Sequence, residues 1–163
     1  MTLRNTALAM SIALPLAAWA ADPNPCELVT SNEVASSVGA QPAPGVRSGP
    51  TIDEGLRAKA WTCEQQVDKG MLAIAVVEFA SPDAAAQGMA AMLKAAKENP
   101  GALRFTPASG VGDQAVWGVS PEGAMWVALK GKHILNVTMA GTADPPRLRE
   151  PLRRLTASAL GRL

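Results

Sequence analysis

Hydrophobic and polar positions along the chain fall into segments of different period, punctuated by glycine and proline. Residues 71–79 are nearly continuous apolar, as in a central strand covered on both faces. Residues 58–65 alternate instead, with Trp61 and Cys63 on one face and Thr62 and Glu64 on the other. Asp68-Lys69-Gly70 between them reads as a hairpin turn in which Gly70 is free to take a positive φ. Three further strand segments cover 114–119, 124–129 and 133–140. Only Ser120-Pro121-Glu122-Gly123 and Lys130-Gly131-Lys132 separate them, and connections that short make an antiparallel meander.

The helical segments carry their own start and stop signals. Thr30-Ser31-Asn32-Glu33 has the layout of a capping box, Val34 and Val38 supply an apolar side, and Gly39 ends the helix. Ser81-Pro82-Asp83 opens a second helix with a capping serine, a proline at the first helical position and an acid facing the positive dipole end. Ala85, Met89, Met92, Leu93 and Ala96 form its core stripe; Lys94 and Lys97 suit its negative end, and Asn99-Pro100-Gly101 terminates it. The last helix follows Asp144, with Leu148, Leu152, Leu155 and Ala159 on one face. Pro151 is tolerated in a first turn and not in an interior, so ordered helix is expected to begin near Arg147. Residues 40–56, with Pro42, Pro44, Gly45, Gly49, Pro50 and Gly55, read as a flexible loop, and a second loop precedes 114. The order is therefore α-ββ-α-βββ-α. It predicts an α+β domain, a mostly antiparallel five-stranded sheet with helices packed on it.

The first residues change the picture of compartment. Arg4 is followed by an apolar run from Ala7 to Ala18 and by Ala18-Trp19-Ala20, a small-x-small pattern. The run is too short to span a bilayer and has the layout of a secretory signal, so residues 1–20 are expected to be removed after Ala20. Asp22-Pro23-Asn24-Pro25 separates the apolar run from Cys26, which argues against lipidation of that cysteine. Residues 21–163 are then one domain, periplasmic or secreted, and their sequence holds no segment long enough to span a membrane. A monomer or weak dimer is expected.

Without Arg4 the formal charge is zero, 14 basic against 14 acidic side chains. That balance argues against nucleic acid as a partner. The distribution is uneven: residues 130–163 carry seven basic and two acidic side chains, a balance of +5. Two cysteines, Cys26 and Cys63, in an exported chain pair by default; two buried free thiols are the alternative. Abundant alanine, glycine and proline with no tyrosine suggests a high-GC bacterial gene, in which the Asn136-Val137-Thr138 sequon is not expected to be glycosylated.

Several segments, in matching order along nearly the whole mature chain, resemble a group of small secreted or lipoprotein domains of unknown function common in actinobacterial cell envelopes. They are Cys26-Glu27-Leu28-Val29-Thr30 with Glu33-Val34, then Thr62-Cys63-Glu64, Gly110-Val111-Gly112-Asp113-Gln114-Ala115, the 127–137 hairpin and the C-terminal helix. The resemblance implies a disulfide between the first helix and the first strand, and a compact domain of the kind likened to the Mog1/PsbP sandwich. It implies no activity and no catalytic residues, and the chain departs from it in lacking a lipid-attachment cysteine.

Chemistry is sparse. His133, the one histidine, opens a strand on the side of Leu135, Val137 and Met139, and no GxSxG-type elbow accompanies it, so a hydrolase using His133 is the weaker of the alternatives. Met71, Met89, Met92, Met125 and Met139 with His133 raise soft-metal (copper) binding, although the three-residue spacing of Met89 and Met92 is also what core packing demands. Gly110-Val111-Gly112-Asp113 precedes a strand, not a helix, so it reads as a bend with Asp113 bonding turn amides, not as a phosphate cradle. Arg149 and Arg153 flank the apolar stripe of the last helix, with Arg147 and Arg154 further round, where they face solvent or contact an acidic partner or anionic surface. Trp61 shares a face with Cys63, whereas Trp126 alternates against Met125 and Val127. Trp126 marks a binding groove if its side of the sheet is open, and core if a second helix layer covers it. The reading is a non-enzymatic binding module without cofactor or bound metal. Its ligand is an envelope protein or small molecule, and its candidate surface comprises Trp126, Trp117, Arg149 and Arg153 together with the 40–56 loop.

Overall fold

The computed structural model describes residues 22–68, 70–99, 103–142 and 144–163. The expected signal, 1–20 with its cleavage position at Ala20, lies outside the described residues. Helix α1 (Ser31–Val38) is followed by strands β1 (Val46–Asp53), β2 (Ala58–Val67) and β3 (Gly70–Phe79), then helix α2 (Pro82–Glu98). Strands β4 (Arg104–Ala108), β5 (Gln114–Ser120), β6 (Gly123–Lys130) and β7 (His133–Ala140) come next, and helix α3 (Arg149–Gly161) closes the chain. All the strands form one antiparallel sheet in the order β1-β2-β3-β7-β6-β5-β4.

Among the described residues the sheet thus has seven strands, which corrects the expected five. The two additional strands, β1 and β4, are the edges, and each lacks the signal that marks an inner strand. Every residue of β1 is exposed, so no inward face imposes alternation, and Gly49-Pro50 interrupts its register between Ser48 and Thr51. The 40–56 segment read as a loop therefore contains a strand. β4 is five residues long and includes Pro107, which an edge strand tolerates and a central one does not.

Alternation sorts the inner strands into two cores. On one face Leu72, Ile74, Val76, Trp126, Leu135 and Val137 are buried beneath α1 and α3, meeting Val34, Leu152 and Leu155. On the other, Phe79, Val116, Val127, Leu129 and Ile134 are covered by α2 through Ala85 and Met89. The nearly continuous apolar run of β3 is explained by this: its two sets of side chains face different helix layers. Burying a large aliphatic side chain contributes about 1.5–3 kcal/mol, so each layer is held chiefly by a few such residues.

Local signals set the helix ends. In α1 the Thr30 hydroxyl accepts from the Glu33 amide and Glu33 accepts from the Thr30 amide, and Gly39 stops the helix at φ 81°. In α2 the Ser81 hydroxyl accepts from Ala84 N–H with Pro82 at the first position. A 3-10 turn, Pro145–Leu148, precedes α3, so Pro151 falls in the first turn of the helix, where its missing N–H costs nothing. At the β2–β3 turn Asp68 is left-handed, at φ 49°, and Gly70 is the first residue of β3. Gly70 serves close packing, since a Cβ there would come within 2.5 Å of the Ala140 carbonyl oxygen.

Cys26 and Cys63 form a disulfide across a sequence separation of 37, fixing the 3-10 turn Pro25–Glu27 to β2. The C-terminus is tied to the same region. Arg162 donates to both carboxylate oxygens of Glu33 at 2.9 Å and to the Leu28 carbonyl at 2.6 Å. The Arg162 hydrogen bond holds the Glu33 carboxyl down at about 2; burial opposes it, and Ser158 and Thr30 assist.

Candidate ligand-binding cleft

Trp126 lies on the face of β6 that α3 covers, and its indole N–H donates to the Arg149 carbonyl at 2.7 Å. That bond fixes the start of α3, which has no side-chain cap of its own. Trp117 is its cross-strand partner on β5, with ring centroids 6.1 Å apart and planes tilted by 50°. Trp117 is 5% and Trp126 2% exposed, so both rings are core, the outcome expected of a sheet face covered by a helix layer.

One edge of Trp126 nevertheless reaches a cleft of about 480 Å³ between the end of β4 and the first turns of α3. Pro107, Ala108 and Ser109 form one wall, and Arg149, Glu150 and Arg153 the other. Arg149 and Arg153 are one helical turn apart and so share a face. Glu150 accepts two hydrogen bonds from the Arg153 guanidinium, at 2.8 and 2.7 Å. These hold the Glu150 carboxyl below, and Arg153 above, their ordinary ranges. Arg149 has no ion-pair partner among the described residues. The cleft therefore has an apolar floor and a net cationic wall.

The structure brings Trp126, Arg149 and Arg153 together and leaves Trp117 behind the floor, outside the lining. It separates them from the 40–56 segment. β1 occupies the opposite edge of the sheet, with β2, β3 and β7 between it and β6. Sequence reasoning missed the β4 wall, because Pro107 led that segment to be read as loop. The alternation of Arg104, Phe105 and Thr106 just before the proline spans three residues, too few to mark a strand.

His133 lines a different cleft, about 450 Å³, with Lys59, Glu78, Lys132 and Arg162 among its neighbours. Burial is the main cause that lowers its pKa, and the charge of Glu78, its cross-strand partner, opposes the shift. The Glu78 carboxylate is engaged by Lys132, whose hydrogen bond keeps it below the usual carboxylate range. No serine, threonine or cysteine is among the described residues that line this cleft. The methionines are divided by the sheet: Met89, Met92 and Met125 belong to the core under α2, Met139 to the core under α1 and α3. Among the described residues no group of three or more histidine, cysteine, aspartate or glutamate side chains is placed to hold a metal. Asp113, from the glycine-bracketed bend, accepts from the Gly131 amide at 2.9 Å and so braces the β6–β7 turn.

No protein-family model matches the chain, and no curated protein does. Among solved structures, the extracellular domain of PknH from Mycobacterium tuberculosis superposes with a TM-score of 0.54 and 14% identity, over 82% of this chain and 91% of that one. At that identity the likeness is one of fold, and it is a likeness to an actinobacterial extracellular domain. An uncharacterised protein from Mycobacterium smegmatis, the Rv0999 ortholog, aligns over 80% of this chain and 96% of that one at 12% identity. Its TM-score of 0.35 is too low to support a fold argument. No helix among the described residues is long and apolar enough to cross a membrane.

Proposed function

We propose that the chain is an exported, non-enzymatic binding module, released from its signal after Ala20 and periplasmic or secreted. Its ligand is a small anion held in the cleft of Trp126, Arg149 and Arg153. The observation that carries this reading is convergence: one apolar floor and two guanidinium groups, from β6 and from adjacent turns of α3, line one cavity of a size suited to a small ligand. Arginine's planar fork suits carboxylate and phosphate alike. The cystine supports an oxidising compartment, and the likeness to an extracellular domain accords with it.

Because Trp126 borders the cleft, its emission reports occupancy. Titration with succinate and with inorganic phosphate should change tryptophan fluorescence saturably for at least one of them. Arg149→Ala, an exposed position whose loss leaves the core intact, should weaken that response about tenfold or more. A flat titration with both anions, or an unchanged response in the variant, would defeat the assignment.

A further inference from the structure

A third cavity, about 380 Å³, lies between the C-terminal half of α2 and strands β4 and β5, on the sheet face opposite α3. Its walls are apolar: Leu93 and Ala96 from α2, Phe105 and Pro107 from β4, Val116 from β5, with Leu103 at one end. Among the described residues its only charged lining groups are Lys97 and Arg104. Both are exposed, so their charges sit at the rim. Neither has an ion-pair partner among the described residues, whereas Lys94, one position off the groove, meets Glu98 at 4.0 Å.

The floor is formed by Val116, which belongs to the core under α2. A small hydrophilic anion would leave the apolar walls wet. A neutral hydrocarbon would leave two cations without a counter-charge, and a cationic amphiphile would be repelled.

We propose that this groove binds one molecule of a carboxylate-headed alkyl chain, a fatty-acid-type amphiphile. The chain lies along Leu93, Phe105 and Val116, and the carboxylate is met by Lys97 and Arg104. The site is separate from the anion cleft and does not depend on it.

Calorimetric titration of the folded domain with dodecanoate, held below its micellar concentration, tests this. One-to-one binding is expected, with dodecanol and butyrate each weaker by about tenfold or more, since one lacks the charge and the other the chain. Ala96→Trp fills the groove from a half-buried helical position and should abolish binding of dodecanoate. Lys97→Glu with Arg104→Glu, two surface changes, should weaken dodecanoate about tenfold while leaving dodecanol unchanged. Arg149→Ala should leave dodecanoate binding intact, so that failure of the anion cleft and failure of the groove are told apart. The proposal is overturned by absence of dodecanoate binding, by undiminished binding in the folded charge-reversal variant, or by association with phosphatidylglycerol vesicles alone.

Discussion

At Gly45 a side chain is excluded by the cystine itself. A Cβ there would come within 2.5 Å of Cys63 Sγ and 2.9 Å of Cys26 Sγ. Gly45→Ala should therefore lower stability by about 1–3 kcal/mol in urea melts, as overpacking does. Most of that loss should disappear in a background with both cysteines replaced by alanine. Glu33 answers to pH. Its folded pKa of about 2 lies below the ordinary 4.5, so its contribution is complete above 4.5 and lost as pH falls through about 2. Glu33→Gln keeps a capping-box side chain and removes the charge. It should cost about 1 kcal/mol at neutral pH, and the gap to the native chain should close between pH 4.5 and 2 when both are melted in parallel. Trp126→Ala should cost about 3–5 kcal/mol, which makes it a stability variant and unsuitable as a binding control. At this scale the sequence was informative where periodicity applies. Strand alternation singled out Trp126, and the four-residue helical step paired Arg149 with Arg153. It was silent on the pairing of Glu33 with Arg162, which meet only because α3 returns across α1.

Elements with chemical punctuation were legible, and elements without it were not. The capping box of α1, the Ser81-Pro82 start of α2 and the short turns joining β5, β6 and β7 each act within a few residues, so local sequence contains the cause. β1 and β4 owe their existence to a neighbour that offers an open edge, and nothing in their own residues states that a neighbour will be there. Glycine and proline, read as breakers, were compatible with both because an edge strand bonds on one side only. The 3-10 turn Pro25–Glu27 is likewise held by a distant residue, Cys63. Reducing that disulfide should remove on the order of 4 kcal/mol from unfolding stability, the chain-entropy figure for a loop of this length. Paired urea melts with and without reductant would show it, and a loss below about 1 kcal/mol would mean that the first turn is held by other contacts.

For the whole molecule, the charge imbalance visible in the sequence acquires a physical role. Arg162 meets Glu33 and Lys132 meets Glu78, so the basic C-terminal segment is laid against acidic residues from the first half of the chain. The apolar continuity of β3 pointed to cover on both of its faces, but helix cover over Trp126 was left open and the width of the sheet was not foreseen. Nor was the placement of the arginine cleft and the apolar groove on either side of β4, since Pro107 lines both and its segment was not recognised as strand.

The sheet is completed at its centre. β3 and β7 are neighbours, yet α2, β4, β5 and β6 are all threaded between them, so Glu78 must find His133 across the whole intervening chain. On the export route proposed above, the chain emerges from the translocation channel amino end first. β3 then stands with one backbone edge bare, amid some of the most apolar sequence in the domain, until residue 140 has cleared the pore. An uncovered strand of that kind templates association with other chains. The interval between the emergence of β3 and of β7 is thus the period in which a newly translocated molecule is most open to such association.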